Sequence, residues 1–194
     1  LLLDFGGVVI WTPFELLNRV GSPAWYGPFG PGVDPMWESL QRGEMTERDY
    51  WDERAREVFP DSPDPVRDLM GVLFAPPASE VRRPEVTALL AGVDRPAVLT
   101  NDLGRFHGPE WLEEMEAHNL FDPLIDLSHT GFLKPAPAAF SRALEILDEL
   151  PSRVVFVDDQ PHNVAGAREM GLVGVWFDVT DPAGSVGRVQ EALG

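Results

Sequence analysis

The chain has 194 residues, 44% of them apolar, enough to bury one full core with room for a modest insertion. Its formal charge of −17 disfavours nucleic acid and anionic membranes, both of which are bound through basic surfaces. There is no cysteine, which excludes disulfides and thiolate metal sites. No apolar run approaches the ~20 residues of a membrane span, and no signal-peptide pattern opens the chain, so a cytoplasmic setting is expected.

Leu1 is not Met and already stands in a strand pattern, so native residues are expected to precede it. The run Leu1 to Phe5 reads as a strand that ends near Asp4 and runs into Gly6-Gly7. A long interval follows before the next strand. Within it, Phe14 to Val20, Pro35 to Arg42, Glu47 to Phe59 and Pro65 to Phe74 read as four helices, and Thr46-Glu47-Arg48-Asp49 resembles a capping box. Gly21 to Gly32 is a Gly/Pro-rich loop carrying Trp25, Tyr26 and Phe29. The stretch Phe74 to Ser79, with two prolines, reads as the return hinge. Residues 12–78 are therefore expected to form a helical cap inserted into a core made of residues 1–11 and 79–194. Two readings of the cap aromatics stand side by side: they line a substrate mouth, or Trp11, Trp25, Trp37 and Trp51 form the cap's own small core, the commoner use of such residues.

The later strands are Ala97 to Thr100, Leu124 to Leu127, Val154 to Val157 and Gly174 to Phe177. They are apolar without alternation, as suits a sheet covered on both faces. Helical patterns over Pro109 to His118, Pro137 to Leu150, Pro161 to Met170 and Asp181 to Leu193 lie between and after them, with proline recurring near each first turn. Strands alternating with helices predict an α/β fold with a doubly wound parallel sheet.

Four strand ends or adjoining loops carry chemistry. Asp4 ends the first strand beside glycines, where a carboxylate can attack phosphorus while nearby backbone N–H groups, Gly7's among them, hold phosphate oxygens; the plainer reading is a glycine turn. Thr100-Asn101 offers a hydroxyl and an amide, though helix caps use the same residues. Lys134, before Pro135, can neutralise both the nucleophile and a transferring group, against the alternative of a solvated surface lysine. Asp158-Asp159 closes an apolar run. Two adjacent acids repel one another, a cost most easily understood if they hold a hard cation through oxygen, so Mg²⁺ is expected; a helix N-cap would need only one of them. Such a cation together with Lys134 would reverse the chain's repulsion of a phosphorylated substrate.

The order Asp-x-Gly-Gly-Val, Thr-Asn, Gly-x-x-Lys-Pro and Asp-Asp-x-x-x-Asn-x-x-Gly-Ala resembles the haloacid dehalogenase-like hydrolase superfamily, in the branch whose helical cap follows the first strand. The resemblance spans nearly the whole chain. It implies a Rossmann-like core and a Mg²⁺-dependent phosphatase hydrolysing a small phosphorylated metabolite through an aspartyl-phosphate on Asp4. Thr100, Asn101, Gly7 and Lys134 would bind the phosphoryl group. Asp159, steadied by Asp158, would ligate Mg²⁺ with Asp4 and the Gly6 carbonyl, and Asn163 would support that loop.

One departure matters. Phosphatases of this superfamily usually carry a second Asp two residues after the nucleophile, as acid for the leaving group, and here Gly6 stands there. Losing such a group costs about 10² to 10⁴ in rate. Three explanations compete: a substrate with a good leaving group, such as a sugar 1-phosphate; a different acid, with Asp102, His107 or His129 as candidates; or lost turnover, leaving a non-catalytic binding protein. A haloacid dehalogenase acting on carbon works without metal, which the acid pair argues against, and a phosphorylatable receiver domain would carry its pair at the first strand. A zinc site is not expected from His129 and His162, and Arg82-Arg83 is too short for a nucleic-acid patch. The partner is thus expected to be a small phosphorylated substrate, and the chain a monomer or homodimer.

Overall fold

The computed structural model describes residues 1–19, 25, 27–29, 34–75, 78–115 and 120–194. Five strands, β1 (Leu2–Leu3), β2 (Ala97–Thr100), β3 (Leu124–Asp126), β4 (Val155–Asp158) and β5 (Val173–Trp176), form a sheet in the order β3-β2-β1-β4-β5. Every pairing is parallel; Leu2 faces Ala97 on one side and Phe156 on the other. This is the doubly wound α/β arrangement expected. The expected strands differ from the observed ones by a residue or two at their ends, and β2 not at all.

Because successive residues of a strand point to opposite faces, the apolar runs divide between two layers. Leu3, Val98, Val155 and Val157 join one cluster, while Leu2, Ala97, Leu99 and Phe156 join the other with Phe140 and Ala139. The second layer is covered by α8 (Pro137–Leu147) and α9 (Pro161–Glu169), the first by α5 (Pro84–Leu90) and α10 (Pro182–Leu193). Helix α8 stops at Leu147 rather than Leu150, because Asp148 turns into the left-handed region at φ 51°. Helix α5 and the single turn α6 (Leu103–Phe106) were not expected from sequence; both are too short for a helical period to declare itself. Of the expected helix Pro109 to His118, α7 covers Pro109–Glu114, and residues 116–119 lie outside the described residues.

Between β1 and α5 come α1 (Pro13–Arg19), α2 (Pro35–Gln41), α3 (Glu47–Val58) and α4 (Pro65–Leu73). Their starts follow local chemistry. Asp34 accepts from the Met36 and Trp37 N–H groups at 3.1 Å each, Thr46 and Asp49 complete a reciprocal capping box, and Asp64 caps the Arg67 N–H. Phe14, Trp37, Tyr50 and Trp51 pack edge to face or tilted with centroids 5.0 to 6.0 Å apart, and Trp25 joins them through Trp51. Most of the loop 21–32, Tyr26 included, and residues 76–77 of the return hinge lie outside the described residues. The outgoing and returning chain meet at Ile10 and Arg82. There the Trp11 N–H donates to Val81 and the Arg83 N–H to Val9, at 2.9 Å each.

Candidate active site

The chain runs from β1 outward to β2 and β3, then crosses back to lay β4 on the other side of β1. In open α/β sheets that reversal leaves a crevice beyond the strand C-termini, and here it lies between β1 and β4. Asp4 continues β1, its N–H donating to Val157 at 2.8 Å, and Asp158 is the last residue of β4. Beyond Asp4 the segment Phe5–Val9 is a tight turn, in which Gly7 sits at φ 72°. A Cβ on Gly7 would come within 2.6 Å of Asp159 Oδ2, so conformation and space both call for glycine there.

Lys134 is only 5% exposed, which removes the surface-lysine reading. Its Nζ lies 2.8 Å from Asp4 Oδ1 and 2.8 Å from Asp158 Oδ2. Asp158 also accepts from the Gln160 N–H at 2.8 Å and from Asn163 Nδ2 at 3.1 Å, so its oxygens are largely taken up. Asp159 has more free capacity, accepting a long 3.3 Å bond from Gln160 Nε2. Asn101 turns away from the crevice's contents: its amide accepts from the Lys134 N–H at 2.8 Å and donates to the Lys134 carbonyl at 3.2 Å. It fastens the loop that delivers the lysine. Thr100, Gly6 and Asn163 line the same small cavity as Asp4 and Lys134.

Three carboxylates, Asp4, Asp158 and Asp159, bring ligand oxygens within 4.8 Å of one another and face a single ammonium. Burial pushes Asp4 up to about 7, Lys134 pulling it down and Asp158 pushing it further up. Burial, then Asp158, Asp4 and Glu47, hold Asp159 well above the usual carboxylate range. Burial opposes the charge on Lys134, yet Asp158 and Asp4 outweigh it and raise its pKa. The surplus of buried negative charge, the all-oxygen donor set and the space left by Gly7 fit a hard divalent cation.

Above the strand ends lies a second, larger cavity, whose wall includes Phe14, Trp37, Trp51, Phe74 and Phe177, with Gly6, Gly7 and Asp159 at its floor. Of the cap aromatics, Trp51 serves both as core and as cavity wall, Trp11 and Trp37 line the cavity half-buried, and Trp25 belongs to the core. Cross-links hold α2 to α4 over the crevice. Arg48 pairs with Asp102, Arg105 with Asp52, Arg67 donates to the Gly104 carbonyl at 2.8 Å, and Gln41 to Gln160 at 3.3 Å.

The candidate acids fare differently. Asp102 is engaged by Arg48. His107 is buried, stacked on Trp111 with centroids 3.9 Å apart, and burial followed by Arg67 lowers its pKa to about 3. His129 is exposed and lines neither cavity. Two residues near the site were not singled out in the sequence. Glu47, the first residue of α3, lines both cavities, and Arg83 bridges the Gly7 carbonyl at 2.7 Å and Glu15 at 2.6 Å, joining the turn after Asp4 to α1. The capping box located Glu47 on its helix, but nothing local told where its side chain would lie.

A family model described as haloacid dehalogenase-like hydrolase matches residues 19–171. Bifunctional epoxide hydrolase 2 of Rattus norvegicus is 35% identical over 81 residues, 42% of this chain, and the match covers 14% of that protein. Sesquiterpene phosphatase astK of Aspergillus oryzae is 23% identical over 210 residues, covering all of this chain and 95% of its own. Among solved structures, a Thermotoga maritima protein described as a candidate β-phosphoglucomutase superposes with a TM-score of 0.61 at 20% identity, over 98% of this chain and 97% of its own.

Proposed function

We propose that this chain, which belongs to the haloacid dehalogenase-like hydrolase family, is a Mg²⁺-dependent phosphatase acting on a small phosphate monoester through an aspartyl-phosphate on Asp4. The observation that carries the reading is the arrangement of Asp4: it ends the central strand, shares the Lys134 ammonium with Asp158, and lies within ligand distance of Asp159. Asp4 Oδ attacks phosphorus. Lys134 stays within 2.8 Å of that oxygen, orients the carboxylate and offsets charge on the transferring group. The Thr100 hydroxyl and the backbone N–H groups of the glycine turn take the phosphoryl oxygens. Asn101 acts one step back, by fixing the Lys134 loop, and Asn163 and the Gln160 N–H fix Asp158. Asp4, Asp159 and the Gly6 carbonyl would hold Mg²⁺, with Asp158 beside them, and the ion when bound supplies further neutralisation of the phosphoryl oxygens.

The branch with a helical cap after the first strand is the fitting one, with residues 12–78 as cap and residues 1–11 and 79–194 as core. The paired neck at Ile10 and Arg82 supports that division. The rings of Trp37, Trp51, Phe14 and Phe74 suit an ester whose organic part is apolar, while Gln41, Gln160 and Asp178 in the same wall leave hydrogen-bond partners for a hydroxyl. The test is phosphate release from p-nitrophenyl phosphate and a panel of sugar and terpenoid phosphates, with Mg²⁺ and with EDTA, by wild type and Asp4→Asn. Turnover is expected to fall ~10⁴-fold or more in the variant with its fold retained. Retained activity removes the covalent step.

A further inference from the structure

The aspartyl-phosphate scheme leaves one proton unassigned. When the P–O bond to the leaving group breaks, its electron pair goes to an alcohol oxygen that needs a proton to depart, and Gly6 has no side chain to give one. The space beside it is open, since a Cβ on Gly6 would meet nothing within 4 Å. Both cavities around Asp4 share Gly6 as a wall, and among the described residues Glu47 is the acid that lines both.

We propose that Glu47, presented by the first turn of α3, is the proton donor to the leaving oxygen and then the base for the hydrolytic water. The proposal rests on the phosphatase reading above. In the first step Asp4 Oδ bonds to phosphorus, the ester P–O bond breaks, and the departing oxygen takes the Glu47 proton. In the second, water oxygen attacks phosphorus while its proton returns to Glu47, and the electron pair of the phosphorus–Asp4 bond goes back to the carboxylate.

Elimination supports the assignment. Asp4, Asp159 and Lys134 are committed to nucleophile, cation and phosphoryl group. Asp102 is taken up by Arg48, whose hydrogen bond and charge oppose the upward push of burial on its carboxyl. Burial keeps His107 neutral with its pKa near 3, and Asp178 is an anion stabilised by its bonds to Thr180. The groups that act on Glu47 are Asp4 from β1, Asp102 from the loop after β2, Asp158 from β4 and Lys134. Burial first, then those three acids, push Glu47 up to about 8, with Lys134 opposing. Its placement is fixed from two sides. Arg48, the next residue on α3, pairs with Asp102, and Trp51 Nε1, one turn on, lies 3.4 Å from Glu47 Oε1.

The experiment compares kcat/KM of wild type, Glu47→Gln and Glu47→Asp on p-nitrophenyl phosphate and on an alkyl phosphate, with thermal melting to confirm folding. The amide keeps the shape and the Trp51 contact but cannot exchange a proton. For Glu47→Gln a loss of ~10² to 10⁴-fold is expected on the alkyl ester. On the aryl ester, whose phenolate leaves with little protonation, the loss is expected to stay below ~10-fold, and Glu47→Asp should recover part of the alkyl activity. An equal loss on both esters, or none, while wild type turns over both, overturns the role of Glu47 and leaves the phosphatase reading standing. Wild-type silence on both esters removes the phosphatase reading, and this proposal with it.

Discussion

The strand-end crevice and the aromatic cavity above it meet at Gly6 and Glu47, yet they are built of opposite materials. In the crevice the groups around Asp4 are mostly tied to fixed partners, with Asp159 keeping free capacity and the buried Asn163 Oδ1 unpaired. Lys134 is shared between two acids, Asp158 accepts from three groups, and Asn101 holds the lysine's backbone at both ends. In the cavity, packed rings make up much of the wall, with Gln41, Gln160 and Asp178 set among them. Fixed dipoles suit one reacting group held the same way in every turnover, whereas an apolar wall accepts a range of organic groups and discriminates among them weakly. On the phosphatase reading proposed above, the sheet supplies the nucleophile and the phosphoryl contacts, and the inserted helices supply selection together with the Glu47 proton.

The comparison can be broken at its most rigid point. Lys134→Ala leaves Asp4 and Asp158 buried without their cation, and a loss of stability of ~3 to 5 kcal/mol is expected, along with turnover. A calorimetric melting point equal to wild type would show that the acids are not held as the geometry implies. A smaller effect comes from pH. In EDTA-treated protein Asp4, Glu47 and Asp159 all keep protons that the unfolded chain has released, because burial raises each of them. The folded state then binds more protons, and stability falls as pH rises through the folded pKa values. His107, lowered to about 3 by burial, works in the opposite direction below its unfolded value of 6.5, and the Leu1 amino group, also lowered by burial, does so below 8.0, so in the window pH 6.5 to 8.5 three raised acids face that one opposing group. Across that window the melting temperature is expected to drop, and Mg²⁺ at the upper end should restore it; a rising curve in EDTA contradicts the buried-acid account. The smallest change is Trp37→Ala in the cavity. It is expected to raise KM ~10-fold for terpenoid or aryl phosphates with kcat nearly unchanged, and to cost some stability through the lost ring contacts with Phe14 and Tyr50. An equal rise for a small sugar phosphate would take selection away from the cavity.

How legible each region was follows the same divide. Asp4, Thr100, Lys134 and Asp158-Asp159 announced themselves because each closes a strand or stands in a loop with a distinctive local pattern, and parallel strands bring their ends together whatever the helices do. Glu47 did not. Its local pattern is fully explained by capping, and its place over Gly6 depends on how α3 lies across the sheet. Arg83 was equally hidden: a pair of arginines in sequence, it becomes a buried strut between Gly7 and Glu15 only when the chain returns from the inserted helices. Asn101 was legible by position but not by direction, since the partner that turns it away from the crevice is 33 residues distant.

The shortness of β1 has a consequence for how the protein comes into being. Its two residues pair with Ala97 and Val98 on one side and with Phe156 and Val157 on the other. A strand so small has no independent stability and must wait for neighbours encoded far downstream, a long loop closure before any reward. During synthesis Asp4 is therefore made before both of the strands that flank it and is seated only when they arrive. Until the β4 segment has cleared the ribosome, a nascent chain carries Asp4 as an ordinary solvated carboxylate, without reactive geometry.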